Sequence, residues 1–330
     1  MTDRQPAAPR ATVLVCTYDR ARLLGETLEA MGELDPPPGG WELVVVDNGS
    51  PDDTADLIRR RAAGFPVRLR YLHEPRQGKS HALNTGLAAI STDLVVFTDD
   101  DVRVPRTWLR ATCEAFDEDP TIDYVGGPVR PIWGAEPPAW FPKVNGNLWG
   151  TIAVLDYGTE RFVFEDRGVV PIGANMAVRR SVIDRIGGFD AQFGRAGRSL
   201  LGQEQAEFFC RTRRAGIRGL YVPRMELEHH VPAVRLTRRY FRRWWYWKGI
   251  SRARLHRAHP ESKPPVASKR FNMINGVTRG ILGEAARRTI GFAIESARNP
   301  TRAAEHEMML AYLAGYVLES RRAASLARSE

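Results

Sequence analysis

Three consecutive aspartates, Asp99, Asp100 and Asp101, directly follow an apolar run of the sequence. The run, Leu-Val-Val-Phe-Thr at 94–98, has no helical period and predicts a buried strand of a parallel sheet. Ligands of open α/β sheets bind at the carboxyl ends of strands. Two carboxylates one residue apart on a tight turn can hold a divalent cation through hard oxygen ligands. The alternative is a solvated acidic turn that starts a helix after Pro105, because acids favour helix N-termini.

Strand and helix patterns alternate through the first hundred residues. Apolar strands are predicted at 11–16, 41–46, 67–72 and 94–97, with helices at 21–31, 54–61 and 80–90. This alternation predicts right-handed crossovers and a parallel sheet covered on both faces. Such a sheet gathers at one edge the polar residues that follow its strands, namely Thr17, Tyr18, Asp47, Arg76 and the three aspartates.

Composition narrows the class of protein. The chain has 330 residues, 43% of them hydrophobic, which fits one large or two modest globular domains. Its net charge of +9 favours anionic partners such as phosphates, nucleic acid or an anionic membrane surface. The three cysteines are widely spaced, which argues against a disulfide framework or a zinc site and fits a reducing cytosol. The first ten residues lack the apolar segment of a signal peptide.

Two common nucleotide signatures are incomplete. A dinucleotide-binding turn needs G-x-G-x-x-G after the first strand, but residues 16–20 contain no glycine, which argues against NAD. A P-loop needs G-x-x-x-x-G-K-[ST]; Gly78, Lys79 and Ser80 supply its end, whereas His73 stands where the opening glycine belongs. An NTPase is therefore disfavoured.

An ordered set of motifs resembles glycosyltransferase family 2. The pieces span roughly residues 11–250 in the family's order: Val-Cys-Thr-Tyr-Asp-Arg at 15–20, Val-Val-Asp-Asn-Gly-Ser at 45–50, Arg-Gln-Gly-Lys at 76–79, Thr-Asp-Asp-Asp-Val at 98–102, Gly-Ala-Asn-Met at 173–176, Gly-Gly-Phe-Asp at 187–190, Gly-Gln-Glu-Gln-Ala-Glu at 202–207 and His-His-Val-Pro at 229–232. The resemblance implies an α/β protein of the GT-A fold, a Rossmann-like, mostly parallel central sheet flanked by helices, with a C-terminal helical extension.

The resemblance also implies a domain plan. A disordered segment, 1–10, precedes a catalytic domain at 11–233, whose nucleotide-binding half is 11–104 and whose acceptor half is 105–233. A basic aromatic helix at 234–260 and amphipathic helices at 261–330 follow.

The resemblance assigns a donor site for a nucleoside-diphosphate sugar, with UDP-sugar preferred and GDP- or dTDP-sugar as alternatives. The implied nucleotide-binding residues are Thr17, Tyr18, Arg20, Asp47, Arg76, Lys79, Asp99 and Asp100. Asp99 and Asp101 match the outer positions of the DxD motif, which holds Mg²⁺ or Mn²⁺ against the diphosphate. His230, or alternatively His229, completes this site.

The general base is harder to assign. In the family it is usually the second residue of a Glu-Asp pair at a helix start, and here the pair is Glu204 and Gln205. A glutamine amide is not a base at neutral pH, so Glu204 is preferred, with Glu207 one turn on as the alternative. The resemblance implies a single displacement with inversion. Gln205 also favours a different reading, a non-catalytic sugar-nucleotide-binding or scaffold protein.

The acceptor side is predicted from two motifs. Trp140 lies in a segment rich in Pro, Gly and Trp at 133–150, which predicts either a functional loop or an aromatic plug. Asn175 lies in the Gly-Ala-Asn-Met motif. The expected acceptor is a saccharide or a lipid-linked saccharide, in the synthesis of a cell-surface polysaccharide or glycolipid.

The last third combines basic and aromatic residues. Between Val231 and Pro260 there is no acid, while nine cations alternate with six aromatic residues from 235 to 257. This pattern is typical of a helix at a membrane interface or of a helix packed on the catalytic domain; nucleic-acid binding is disfavoured because no RNA-binding signature accompanies the charges. Two amphipathic helices are predicted at 275–296 and 301–324. We expect a cytoplasmic protein, either free or peripheral at the inner face of the cell membrane.

Overall fold

A computed structural model of the chain describes residues 8–144, 146–195, 200–262, 273–274 and 277–326. The strands are β1 Ala11–Thr17, β2 Trp41–Asp47, β3 Leu69–His73, β4 Leu94–Thr98, β5 Val102–Arg103, β6 Tyr124–Gly126, β7 Val129–Trp133, β8 Phe162–Val163, β9 Asn175–Arg179, β10 Gly219–Tyr221, β11 Leu227–Val231, β12 Met273–Ile274 and β13 Val277–Thr278. The helices are α1 Ala21–Gly32, α2 Thr54–Ala62, α3 Lys79–Ala89, α4 Trp108–Glu118, α5 Phe164–Arg167, α6 Arg180–Ile186, α7 Glu204–Arg214, α8 Arg238–Ala258, α9 Arg279–Glu295 and α10 Pro300–Leu326.

The central sheet has eight strands in the order β3-β2-β1-β4-β9-β6-β10-β8. Strands β1, β2, β3 and β4 pair in parallel, and β6 pairs in parallel with β10, whereas β9 runs antiparallel to β4 and β6. Strands β1, β2 and β4 are almost continuously apolar and buried, as expected for strands covered on both faces. The predicted α/β architecture is confirmed.

The strand order creates a switch point between β1 and β4. The chain leaves β1 towards β2 on one side and returns to β4 on the other, which opens a crevice at the carboxyl ends of these two strands. The register brings Thr17 opposite Asp47 and Asp47 opposite His73. The polar residues that follow these strands therefore lie along one edge, as the sequence predicts.

A second, three-stranded sheet in the order β5-β11-β7 adjoins the aspartates. Strand β5 begins one residue after Asp101 and pairs antiparallel with β11, with Val102 opposite His229 and Arg103 opposite Glu228. This pairing carries the two predicted histidines to the acidic turn, although they are more than a hundred residues away in the sequence.

The chain divides into two compact units. The first contains the described part of Met1–Ile132 together with Ala153–Ala191 and Arg211–His230, and it holds the eight-stranded sheet. The second contains Trp133–Ile152, Gln192–Cys210 and the described part of Val231–Glu330. Of the predicted disordered segment, residues 1–7 lie outside the described residues, while Arg10 bonds to both carboxylate oxygens of Asp117 at 2.8 and 2.5 Å.

The second unit is built around α8, α9 and α10. Thr237 caps α8 by accepting a hydrogen bond from the Tyr240 backbone N–H at 3.2 Å. Phe241, Trp245 and Leu255 of α8 are buried. The sequence left two interpretations of this helix open, one at a membrane interface and one packed on protein. The burial of these three side chains is expected of a packed helix. Among the described helices, none combines the length and the apolar character needed to cross a bilayer.

We predict that Gly127→Ala destabilises the first unit. A Cβ at Gly127 would lie 1.8 Å from the Met225 carbonyl oxygen, so the backbone must move. We expect a loss of about 3 kcal/mol in the free energy of unfolding, measured by urea denaturation. Gly64→Ala is the matched control, since a Cβ there meets nothing within 4 Å; equal losses in both variants would contradict this packing.

Candidate donor and metal site

The acidic turn after β4 is fixed by its backbone. The buried Thr27 hydroxyl of α1 donates to the carbonyl oxygens of Asp100 at 3.1 Å and Val102 at 2.9 Å. From the other side, the His230 backbone N–H donates to the Asp101 carbonyl oxygen at 2.9 Å. The turn is therefore held by hydrogen bonds from α1 and β11 to its backbone. These bonds do not use the carboxylates.

Asp99, Asp101 and His229 form a cluster whose potential ligand atoms all lie within 4.8 Å of one another. His229 Nε2 is 3.2 Å from Asp101 Oδ1, and both side chains are almost completely buried. Side chains along β11 point alternately inward and outward, and those of Leu227, His229 and Val231 face inward. This alternation explains why His229, and not His230, lies in the cluster.

His230 faces the other side of β11. Its Nε2 lies 3.5 Å from Glu26 Oε2, on the exposed side of α1. The structure thus brings His229, the alternative, to the aspartate pair and places His230 beside Glu26.

The donor set of this cluster suits a divalent cation. Two carboxylate oxygens and one imidazole nitrogen converge, and Nδ1 of His229 is buried without a hydrogen-bond partner among the described residues. Carboxylates suit Mg²⁺ and Mn²⁺, while an imidazole ligand is typical of transition metals. The residues present therefore fit the predicted ion.

Two basic side chains neutralise the aspartates. Lys79 Nζ donates to Asp99 Oδ1 at 2.6 Å. Arg20 NH1 donates to Asp100 Oδ1 at 3.0 Å and to Asp101 Oδ2 at 2.7 Å. These two predicted nucleotide-binding residues thus lie beside the cluster of Asp99, Asp101 and His229.

The aspartates differ in their pKa values. Burial raises the pKa of Asp100 to about 6, against the opposing charge of Arg20. Burial is the largest influence on Asp99 and acts in the same direction, but the charge and hydrogen bond of Lys79, together with His229, hold the pKa of Asp99 below its ordinary value. Asp99 therefore stays ionised near neutral pH, as a metal ligand must.

The residues predicted to bind the nucleobase lie at the carboxyl ends of β1 and β2. The Asp47 carboxylate is buried and accepts bonds from the Ser50 N–H at 2.8 Å and the Tyr71 hydroxyl at 3.2 Å. Thr17 is buried beside it, while the Tyr18 ring is 47% exposed. Tyr18 is thus the member of this group with a ring face open to a ligand.

Two residues that the sequence analysis passed over organise the loop after β3. The Asn48 side chain donates to the Glu74 and Arg76 carbonyl oxygens at 2.9 and 2.8 Å and accepts from the Gly78 N–H at 2.8 Å. Gly78 has φ +144°, which favours glycine. In the sequence, the Asn-Gly pair after β2 was the only indication that this asparagine organises a turn.

Glu74 is the second such residue. Arg76 donates to both of its carboxylate oxygens at 2.9 Å, and this contact lowers the pKa of Glu74. In the structure Arg76 forms a local ion pair with Glu74, while 67% of its side chain is exposed.

The two predicted acceptor-side residues belong to different units. Asn175 is buried; its Oδ1 accepts from Trp108 Nε1 at 2.9 Å, and its Nδ2 donates to the Pro128 and Met225 carbonyl oxygens. That amide belongs to the core of the first unit. Trp140, in the second unit, packs edge-on against Phe241 with the ring centroids 5.1 Å apart, as the aromatic-plug interpretation expects.

The candidate bases both lie at the start of α7, in the second unit. Glu204 is the first residue of the helix and Gln205 follows it. Glu207 is buried, and its Oε1 lies 3.3 Å from His259 Nε2. Glu207 is thus engaged in an ion contact with the residue that ends α8.

Comparison with known proteins places the fold in a defined class. The chain resembles the mannosyltransferase PcManGT from Pyrobaculum calidifontis, solved in complex with GDP-Man and Mn²⁺, with a TM-score of 0.60 at 23% identity over 94% of this chain and 87% of that one. This likeness shows a GT-A fold, which confirms the predicted fold class.

Residues 12–187 match the family described as Glycosyl transferase family 2. The chain belongs to this family and is a glycosyltransferase. It is 23% identical to the glucosyl-dolichyl phosphate glucuronosyltransferase of Haloferax volcanii, over 77% of this chain and 79% of that one. It is 26% identical to the succinoglycan biosynthesis protein ExoM of Rhizobium meliloti, over 73% of each chain. A pre-mycofactocin glycosyltransferase of Mycobacterium tuberculosis is 30% identical over 69% of this chain and 45% of its own length.

Proposed function

We propose that the chain is a metal-dependent glycosyltransferase that moves a sugar from a nucleoside-diphosphate sugar to a hydroxyl of a lipid-linked or polysaccharide acceptor. The observation that carries the proposal is the cluster of Asp99, Asp101 and His229 at the switch point of the sheet. The Mn²⁺ and GDP-Man of the structural neighbour support a metal and a nucleotide-sugar donor. The names of the relatives, one acting on a dolichyl phosphate and one in succinoglycan synthesis, support the acceptor class.

Asp99, Asp101 and His229 would hold the cation, which supplies charge neutralisation for the departing nucleoside diphosphate. Lys79 and Arg20, already at these carboxylates, would pair with diphosphate oxygens. Asp47 and Tyr18 would bind and stack the base. The nucleotide is either UDP, which the resemblance favours, or GDP, which the structural neighbour binds as GDP-Man.

Glu204 is the proposed general base, because it lies beside the position of the family's usual base, which Gln205 occupies here. It takes the proton of the acceptor hydroxyl while that oxygen forms a bond to the anomeric carbon. The bond from this carbon to the diphosphate oxygen breaks, and its electron pair leaves with the nucleoside diphosphate. Attack opposite the leaving group inverts the anomeric configuration.

A lipid-linked acceptor implies work at a membrane surface. Arg239 and Arg243 of α8 are exposed, and so are Leu282 and Ile290 of α9. We propose a peripheral association in which exposed cations meet anionic lipid headgroups.

The histidine assignment is tested by a pair of neighbouring substitutions. We expect His229→Asn to weaken Mn²⁺ binding in the presence of a nucleoside diphosphate by about tenfold or more, measured by isothermal titration calorimetry. His230→Asn removes an imidazole from the opposite face of β11 and should change the affinity less than about twofold. A large loss in His230→Asn with no loss in His229→Asn would contradict the proposed ligand set.

A further inference from the structure

Helices α8 and α10 pack with their backbones in close contact. A Cβ at Gly249 of α8 would lie 2.0 Å from the Tyr312 carbonyl oxygen, and a Cβ at Gly315 of α10 would lie 2.0 Å from that of Tyr246. Such a glycine crossing fixes the side chains beside it, because neither helix can shift without breaking the contact.

The two ends of this helix pair are matched in charge. Near the start, Glu307 accepts from Arg238 and Arg242, each at 2.9 Å. Near the end, Glu319 accepts from Arg254 at 3.0 Å and lies 3.6 Å from Arg257. The helices therefore run parallel, and acids of α10 form ion pairs with cations of α8 at both ends.

The centre of the pair is different, because no acid of the described residues forms an ion pair with its cations. Lys248 and Arg252, one helical turn apart, are half-buried, and no carboxylate oxygen of the described residues lies within 4.0 Å of either. Where the matched ends have glutamates, α10 carries two tyrosines, Tyr312 and Tyr316. The residues outside the described ranges contain two acids, Asp3 and Glu330.

Two tryptophan rings lie beside the Lys248 ammonium. Lys248 Nζ lies 4.4 Å from the ring centroid of Trp245 and 5.0 Å from that of Trp244. The Trp245 indole in turn meets Tyr312 edge-on at 6.4 Å. Burial raises the pKa of Tyr312 to about 12, so its hydroxyl keeps its proton and can donate it in a hydrogen bond.

Holding two like charges in this place is costly. Burial lowers the pKa of Lys248 to about 8, and the Arg252 charge adds to the effect. Cation–π contact offsets part of the cost, but it supplies no negative charge. Half-buried cations without an anion on rigid helices are a candidate ligand site.

We propose that Lys248 and Arg252 form a binding site for a phosphate group, with Tyr312 as an additional donor. Arg252 offers the planar fork that matches phosphate oxygens, and Lys248 offers a point charge. The partly exposed Trp244 ring gives an apolar surface for a hydrocarbon chain attached to the phosphate. Two sources share this chemistry, the phosphate of a lipid-linked acceptor and an anionic lipid headgroup. The acceptor source rests on the proposed function.

The test compares Lys248→Gln and Arg252→Gln with the control Arg239→Gln. The control removes one exposed charge from the same helix. The probes are geranyl phosphate in solution, followed by isothermal titration calorimetry, and phosphatidylcholine vesicles with one-fifth phosphatidylglycerol, followed by flotation. We expect each site variant to weaken binding of at least one probe about tenfold or more, since each loses a charge-assisted hydrogen bond. The control should stay within about twofold, as expected of an exposed charge.

The two probes separate the sources. A loss with geranyl phosphate assigns the site to a lipid-linked phosphate, and a loss confined to vesicles assigns it to a headgroup. No loss with either probe, or an equal loss in Arg239→Gln, overturns the proposal. Thermal stabilisation by nucleoside diphosphate and Mn²⁺ is measured on the same proteins. Its absence from all of them would count against the proposed donor site and leave the phosphate site standing.

A stability measurement excludes a merely structural role. Lys248→Met keeps the aliphatic stem between the indoles and removes the charge, so we expect an unchanged or higher Tm together with weaker phosphate binding. A Tm lowered by more than about 4 °C would mean that Lys248 stabilises the fold, and it would overturn the assignment.

Discussion

Replacement of Asp101 by asparagine is expected to lower sugar transfer about a thousandfold or more, because the departing diphosphate loses its metal partner. Asp101 is the most constrained member of the cluster: it is buried, lies 3.2 Å from His229 Nε2 and accepts from Arg20 at 2.7 Å. Asparagine keeps its shape but removes the charge that binds the cation. The measurement is the initial rate of transfer at saturating donor with varied Mn²⁺.

Asp100→Asn is the matched control for this variant. Asp100 is the adjacent carboxylate, equally buried and also bonded to Arg20, but it is not part of the ligand cluster. We expect a loss of about tenfold at most, since one charge-assisted hydrogen bond is weakened. If Asp101→Asn keeps more than a tenth of the activity, or if Asp100→Asn is the worse of the two, Asp101 is not the metal ligand.

The second large effect is expected at Glu204. Glu204→Gln should lower kcat by about a hundredfold to ten-thousandfold, the usual contribution of a positioned general base. Donor affinity should be unchanged, because this residue is not among those assigned to the nucleotide. The measurement separates kcat from KM for the donor and adds a nucleotide-binding assay on the same variant.

Glu207→Gln is the control, and it distinguishes catalysis from structure. Glu207 is buried 3.3 Å from His259, so its loss should lower stability more than it lowers the rate per folded molecule. A variant Glu207→Gln that is stable and inactive, beside an active Glu204→Gln, would move the base to Glu207. Activity in both variants would require another acid.

The sequence predicted the elements that position the donor site, because their signals are local. An uninterrupted apolar strand followed by three acids specifies a buried strand and its carboxyl end. Repetition of that pattern at Thr17 and Asp47 specifies the shared edge. The family resemblance, the α/β fold and the transferase class are confirmed by the comparisons.

The histidine pair shows where local signals end. A strand of period two must turn one of His229 and His230 inward, but the sequence of β11 does not say which one. That choice depends on the pairing of His229 with Val102, a contact between residues far apart in the chain.

Two polar residues of the motifs have structural partners that the sequence did not indicate. Arg76 and Asn175 belong to motifs of the family, yet the structure engages Arg76 with Glu74 and surrounds Asn175 with three core partners. A side chain's burial and partners come from tertiary packing, so a motif alone cannot separate a ligand contact from a structural bond.

The C-terminal helices illustrate a third case. The alternation of cations and aromatic residues in α8 fits a membrane surface and a packed helix equally well. The acids that pair with α8, Glu307 and Glu319, lie on α10 and are recognisable as partners only after the two helices are paired. The unmatched cations Lys248 and Arg252 became visible for the same reason.

The most direct test of the donor site is a thermal-shift screen of the wild type and Asp101→Asn with UDP, GDP, dTDP and CDP, each with and without Mn²⁺. The proposed donor site predicts that one nucleotide raises the Tm when Mn²⁺ is present, by the mass action of binding to the folded state, and that Asp101→Asn abolishes the rise. It would be contradicted if no nucleotide raised the Tm, or if the rise were the same without Mn²⁺ and in the variant.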